Sequence, residues 1–274
     1  MTLLLTLFLA VSSPNPEWIG KAPANANRIV SLAPNLTELV FELGEGSRIV
    51  GVTRFDNYPP AVLKLPKVGG FINPNLEAIV AAKPDVVLAT PNSGGKKQAE
   101  TLARLGIPVL SIPAQEWTHL SPAIKTLATL LKCPQRGQAL VADLKAQETT
   151  LAKRFSHLPV KRAMIAIGLK PLVSAGPKSF IDRFLPLIGL RNVVTKGGPY
   201  PILNAEAVIS LKPQLVLDLS MATDRVSKTY WNNFPQKNGF RIQQSRNDAL
   251  LRLGPRLFKA LQELGDLIHA EKAP

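Results

Sequence analysis

A short phrase occurs twice in this chain, and it dictates the architecture. Residues Asn75 to Ala89 read NLEAIVAAKPDVVLA, and residues Asn204 to Asp218 read NAEAVISLKPQLVLD. Asn75 and Asn204 are favourable helix N-caps, since a side-chain oxygen takes an orphan backbone N–H of the first turn. Glu77 and Glu206 then fall in that first turn, where negative charge suits the helix dipole. Pro84 and Pro213 push the residue before them out of the right-handed helical region, so each helix stops at a lysine. The runs Val86-Val87-Leu88 and Leu215-Val216-Leu217 are short and wholly apolar, the pattern of strands buried on both faces. The copies lie too far apart for a solenoid. They predict two α/β lobes built alike, each offering a matching feature to a cleft.

Between the copies, residues Gln135 to Ser156 are polar and helix-favouring, with Ala139, Leu140, Leu144, Leu151 and Phe155 towards one side. A helix of that length measures about 33 Å, longer than a sheet-covering helix needs. It reads as a rigid connector. The expected division is residues 1–26 as a signal or disordered N-terminus, 27–132 as an α/β lobe, 133–158 as the connecting helix and 159–274 as a second α/β lobe. Further elements follow from pattern: strands over Arg28–Leu32, Ile49–Val52, Ile107–Ile112, Ala163–Ile167 and Arg241–Gln243, and helices over Lys96–Leu105, Ser179–Ile188 and Pro255–His269. Another helix opens at Pro34-Asn35, with Asn35 and Glu38 spaced as a capping box. Strands alternating with helices across short turns mean parallel sheets.

Composition narrows the function. Charged residues are 19% and hydrophobic residues 46%, a globular profile, but the net charge is +14. Such a charge suits nucleic acid, an acidic surface or an anionic ligand. The lysines and arginines are scattered, with neither a basic run nor interleaved aromatics, so nucleic-acid binding is not expected. Leu3 to Val11 is apolar, too short to span a bilayer, and resembles the core of a secretory signal, although no Lys or Arg precedes Lys21. Cleavage after Ser13 or after the Ala24-Asn25-Ala26 triplet would release a mature periplasmic chain; the other reading is a disordered arm on a cytosolic protein. Cys133 is the only cysteine, so no internal disulfide and no lipid-bearing cysteine after the apolar stretch are possible.

Catalytic signatures are scarce. His119, His157 and His269 stand singly without metal-ligand spacing. Gly94-Gly95-Lys96 lacks the rest of a phosphate loop, and no Gly-x-Ser-x-Gly elbow occurs. Candidate binding residues gather beyond the carboxyl ends of strands, where open parallel sheets take ligands: Pro34 and Asn35, Phe55 with Tyr58, Phe71 after Gly69-Gly70, Tyr200 between two prolines, and Asp248 with Arg252. An aromatic at a matching place in each lobe suits a large, partly apolar ligand; Phe71 and Tyr200 equally suit a plain covering role over the adjacent helix starts. Glu77 and Glu206 are either ordinary first-turn acids or a pair of acidic knobs for a two-fold basic partner.

The stretches RIVSLAPNLTELVFELG, IVGVTRFDNYPP, NLEAIVAAKPDVVLA and NDALLRLGPRL resemble the periplasmic substrate-binding proteins of cobalamin and ferric-siderophore ABC importers, most closely the cobalamin branch. The likeness runs from about Arg28 to His269. It implies two Rossmann-like lobes joined by one long helix, a ligand held in the inter-lobe cleft, and no catalysis. By position it assigns ligand contact to Pro34, Asn35, Phe55, Phe71, Tyr200, Asp248 and Arg252. It assigns docking on an ABC permease dimer, served by its ATPase subunits, to Glu77 and Glu206. It further implies a monomer without a cofactor or protein-held metal, since cobalt arrives inside the corrin of cobalamin. Arg54 and the high charge suit a ferric siderophore or haem instead. A tetrapyrrole chelatase-like enzyme would share the architecture but would want a His or carboxylate cluster.

Overall fold

The computed structural model describes residues 15–91, 93–114, 116–235 and 239–270. The apolar stretch Leu3 to Val11 and the first cleavage position lie outside them. The chain divides into two compact units, Met1–Ala114 with Thr118–Gly137, and Gln115–Trp117 with Gln138–Pro274.

The first unit runs β1 (Glu17–Ile19), β2 (Ile29–Ser31), α1 (Pro34–Glu42), β3 (Ile49–Val52), α2 (Leu76–Ala81), β4 (Val86–Ala89), α3 (Gly95–Arg104) and β5 (Val109–Ser111), followed by α4 (Trp117–Leu130). Its sheet has the order β1-β5-β4-β2-β3, parallel throughout except for β1, which runs antiparallel to β5. The helix α5 (Pro134–Phe155) contains the division between units. The second unit continues with β6 (Lys161–Leu169), β7 (Leu172–Ser174), α6 (Phe180–Phe184), β8 (Leu190–Asn192), α7 (Ala205–Leu211), β9 (Leu215–Asp218), α8 (Asp224–Asn232), β10 (Arg241–Gln244) and α9 (Leu257–His269). Here β10-β9-β6 are parallel; β8 pairs parallel with the start of β6, and β7 antiparallel with its end.

The repeated phrases form α2–β4 and α7–β9, as their pattern requires. The Ala78 N–H donates to Asn75 Oδ1 at 3.0 Å, and the Ala207 N–H donates to Asn204 Oδ1 at 2.8 Å. Val86, Val87 and Leu88 are 0% exposed, and Leu215, Val216 and Leu217 at most 2%. The two strands also share their pairing: Val87 lies opposite Val30, and Val216 opposite Met164. In each unit one sheet face closes against its repeated helix, through Ile79 in the first unit and Val208 in the second.

The helix ends are more alike than the phrase alone shows. Lys83 and Lys212 occupy the left-handed region at φ 47° and 46°. A proline next in line disfavours the right-handed helical region, and the left-handed turn exposes the last carbonyls. An arginine at or next to the start of each central strand takes them. Arg28 donates to the Lys83 and Ala82 carbonyls at 2.9 and 2.6 Å, and Arg162 to the Lys212 and Leu211 carbonyls at 3.4 and 2.6 Å. Cations are favourable at helix C-termini for this reason.

Several elements differ from the sequence expectation. The Asn35–Glu38 capping box does not form. Ala33 is the N-cap and Pro34 occupies the first turn, a place for which proline is pre-shaped, while Glu38 is 2% exposed. On α5 the inward positions are Gly137, Leu140, Leu144, Leu151 and Phe155, whereas Ala139 is exposed. Residues 17–19 belong to the sheet and not to a loose N-terminal arm: β1 pairs with β5, the Asn25 side chain accepts from Lys132 at 2.6 Å, and the Ala26 carbonyl accepts from Arg48 at 3.1 Å. Cleavage after Ser13 keeps this strand; cleavage after Ala26 would remove it. The helix α4 was hidden by Pro122 inside it, since helix interiors normally exclude proline.

The second unit contains a buried carboxylate network at the end of β9, where the first unit has Ala89 in the equivalent place of β4. Asp218, 0% exposed at the end of β9, accepts from the Ser220 N–H and hydroxyl at 2.9 and 2.6 Å, from Trp231 Nε1 at 2.9 Å, and from the Ser227 hydroxyl. Gln244 of β10 donates to Ser227 Oγ at 2.7 Å. This network fastens α8 and β10 to the central sheet. Asp218→Ala orphans several buried donors at once and should lower the unfolding free energy by about 3 kcal/mol, measured by urea unfolding with fluorescence detection. Asp218→Asn, which keeps part of the accepting capacity, should lose less.

Candidate functional site

In the first unit, the carboxyl ends of β2 and β3 present most of the expected residues. Pro34 and Asn35 form the half-buried opening of α1. After β3 the chain turns sharply because the Asp56 carboxylate accepts from the Thr53 N–H and hydroxyl at 2.9 and 2.6 Å. That turn lifts Phe55 to 50% exposure. The Arg54 guanidinium lies over the Phe55 ring, 5.1 Å from its centroid, while the Arg54 N–H donates to the Gly69 carbonyl at 2.9 Å. A Cβ at Gly70 would sit 3.1 Å from an Arg54 nitrogen, so glycine there allows the guanidinium its close approach.

Phe71 follows directly, half-buried, with its carbonyl accepting from the Gly94 N–H at 3.0 Å. Gly69 takes φ 101°, a conformation costly for other residues, and its missing side chain leaves room for the Asn75 N–H 2.6 Å from the would-be Cβ. The structure thus places Arg54 over Phe55 and against Gly70, with Phe71 next in the chain. Cation–π contact of this kind contributes about 0.5–1 kcal/mol when exposed.

The second unit also carries a glycine pair before its aromatic, but there both Gly197 and Gly198 have positive φ, 92° and 79°, whereas in the first unit only Gly69 does. The Gly176 N–H donates to the Pro199 carbonyl at 2.9 Å, and the Ser174 N–H to the Pro201 carbonyl at 3.0 Å. Tyr200 between them is 48% exposed, and burial of the remainder pushes its phenol above the ordinary value of 10. The ring therefore enters any contact at neutral pH as a protonated phenol.

Asp248 and Arg252 come together, though not as two independent ligand groups. Arg252 pairs with Asp248 Oδ2 at 3.0 Å, and Arg256, which the sequence reading did not single out, pairs with Asp248 Oδ1 at 3.2 Å. All three side chains are largely covered, at 16%, 12% and 19% exposure. Asp248 thus holds two arginines in place, and the group carries one net positive charge. The spacing of Asp248, Arg252 and Arg256 repeats every fourth residue, but Gly254-Pro255 breaks the helix across which such spacing would normally signal contact.

Glu77 and Glu206 stand apart from these groups, both exposed, each the second residue of its capped helix. Among the described residues no group of three His, Cys, Asp or Glu side chains is placed to hold a metal ion, and no helix is long and apolar enough to cross a membrane. His269 Nε2 lies 3.0 Å from the Ile188 carbonyl, and His157 is exposed. In a spectrophotometric titration the Tyr200 phenol should ionise above pH 10, and Tyr200→Phe should remove part of the late-titrating absorbance. A raised phenol pKa stabilises the fold fully below its unfolded value, and that contribution fades as pH climbs through the folded one.

The model of the periplasmic binding protein family matches residues 29–240. The chain is 28% identical over 262 residues to the vitamin B12-binding protein of Pectobacterium atrosepticum, covering 92% of each. It is 29% identical over 266 residues to the vitamin B12-binding protein of Salmonella paratyphi A, covering 96% of this chain and 94% of that one. The crystal structure of a periplasmic heme-binding protein from Pseudomonas aeruginosa superposes with a TM-score of 0.80 at 26% identity, covering 91% of this chain and 95% of that chain.

Proposed function

Because this chain belongs to the periplasmic binding protein family, we propose that it is a periplasmic receptor that binds cobalamin and delivers it to an ABC importer, without catalysing a reaction. The likeness to vitamin B12-binding proteins over nine-tenths of both lengths carries the reading. The surfaces within each unit suit the ligand. A corrin ring is broad, flat and largely apolar, with amide arms and a phosphate-bearing loop at its edge. Phe55 and Phe71 in one unit and Tyr200 in the other supply ring faces for stacking and apolar contact.

Pro34 and Asn35 add a short rigid wall with one amide. Arg252 and Arg256, fixed by Asp248, offer charge-assisted donors to the polar edge of the ligand, since arginine binds carboxylate and phosphate groups in a planar fork. Asp248 orients these donors. Cobalt is enclosed by the corrin nitrogens, so no residue of this chain need ligate it.

Glu77 and Glu206 are given the second role, docking on the permease. They are exposed and lie at the same place in both units. First-turn acids whose helices are already capped by asparagine are free to meet basic groups of another protein. Transport energy would come from ATPase subunits of the partner.

The solved heme-binding structure favours a second reading, with haem as the ligand. Under it Tyr200 would face the iron and the arginines the propionates. Calorimetric titration of purified protein with cyanocobalamin, beside an absorption titration with hemin, separates the two. The expected result is heat of binding with cyanocobalamin and no shift of the hemin Soret band; a Soret shift without cyanocobalamin heat would replace cobalamin by haem. Glu77→Ala combined with Glu206→Ala should leave cyanocobalamin affinity within about twofold, since exposed surface changes have small effects, and should weaken uptake in a transport assay. Loss of ligand binding instead would put those glutamates in the ligand site.

A further inference from the structure

Helix α8 has two working faces. Ser227 and Trp231 turn to the sheet and bond Asp218. Val226, Thr229, Tyr230 and the C-cap Asn233 recur at i, i+3, i+4 and i+7, so they form a second stripe, and all four line a groove of about 730 Å³ in the second unit. Another wall is the β6–β7 turn, with Lys170, Pro171 and Leu172, and a third is the approach to α7, with Leu203 and Ala205. The Leu203 N–H donates to the Leu172 carbonyl at 2.9 Å, which ties these two walls together. The volume falls within the roughly 300–1,000 Å³ typical of small-ligand sites.

The groove is apolar within and basic at its edge. Leu172 and Phe234 are buried, whereas Val226 is 48% exposed. The Tyr230 ring stands edge-on to Trp231, with centroids 5.0 Å apart, and is thereby held in place. Burial pushes its phenol above the ordinary value of 10, so the hydroxyl remains a donor at neutral pH. The charged lining residues are Lys170 and Arg225, both exposed, and no Asp or Glu accompanies them. Neither cation has an ion-pair partner among the described residues; Asp224, beside Arg225 in the chain, is taken by Arg246 at 3.2 Å.

We propose that this groove binds a small amphipathic anion, an alkyl carboxylate of the fatty-acid class. The site shares no residue with the ligand surfaces described above and does not depend on the function proposed for them. The alkyl chain removes Leu172, Val226 and Phe234 from water. The carboxylate meets Arg225 and Lys170 as a charge-assisted acceptor. An apolar chain without a charge would leave both cations unanswered, and a cationic amphiphile would be repelled by them.

The test is a calorimetric titration of the purified protein with sodium laurate below its micelle concentration, beside dodecyltrimethylammonium chloride, a cation with the same chain length. Laurate should bind and the ammonium should not. Lys170→Gln with Arg225→Gln should weaken laurate binding about tenfold. Lys96→Gln with Lys97→Gln, the same charge change at exposed positions of α3, should leave it within about twofold. Val226→Asp, at an exposed position, should weaken it about tenfold, and saturating cyanocobalamin should leave it unchanged. Absence of laurate binding, or equal binding of the ammonium, overturns the proposal. Equal loss in the two lysine-bearing pairs also overturns it, by reducing the binding to diffuse attraction from the net charge of +14. Undiminished laurate affinity in Val226→Asp removes the ligand from this groove, and displacement by cyanocobalamin moves it to the main ligand surface; either result overturns the assignment.

Discussion

The hydrogen bonds that Asn75 and Asn204 accept from the amides three residues on determine where the two repeated helices begin, and the functional groups of both units are placed relative to those points. Upstream of each cap lies a Gly-Gly turn with its aromatic; just inside the helix lies the glutamate. An N-cap is worth about 1 kcal/mol, a small sum for stability. Its larger consequence is register, because a helix starting one residue later would rotate its glutamate by about 100°. The far end is equally constrained: left-handed Lys83 and Lys212 deliver the last carbonyls to Arg28 and Arg162. Each helix is thereby clamped to the central strand it packs beside.

Duplication of the scaffold did not duplicate the chemistry. The first unit places Arg54 over Phe55 and beside Gly70, an exposed cation on an aromatic face. The second unit immobilises its cations, binding Arg252 and Arg256 to a shared Asp248. It also carries the buried Asp218 network where the first unit has Ala89. A carboxylate without solvent needs several donors to be tolerated, and Ser220, Ser227 and Trp231 supply them. Apolar Ala89 requires no such support, which is why the two strands can share their pairing and differ at their ends.

The repeat, the buried strands, the long helix and the exposure of both glutamates were legible in the chain because each follows from local rules: a capping side chain, a proline stop, an apolar run. Phe55 was likewise readable as a residue beyond a strand end, since it follows β3 directly. What escaped notice depended on distant partners. Nothing in Glu17–Ile19 announces a strand until β5 offers its edge. Pro122 concealed α4 by violating the helix rule near the start of a helix that packing retains. Arg256 could not be joined to Asp248 by spacing, since Gly254-Pro255 interrupts the helical periodicity on which such counting depends. The Asn35–Glu38 box failed because Pro34, shaped for the first turn, moved the cap to Ala33.

Local sequence determined the kinds of element, their order, the twofold recurrence and the outward position of Glu77 and Glu206, because capping and burial patterns act within a few residues. Tertiary structure alone decided that Asp248 holds arginines in place, that Arg54 lies over Phe55, that Asp218 ties three elements together, and that Ile72 and Ile202 stay bare. Those outcomes depend on which side chains meet across the fold and on which ones nothing covers. Neither property is encoded in any short stretch of the chain.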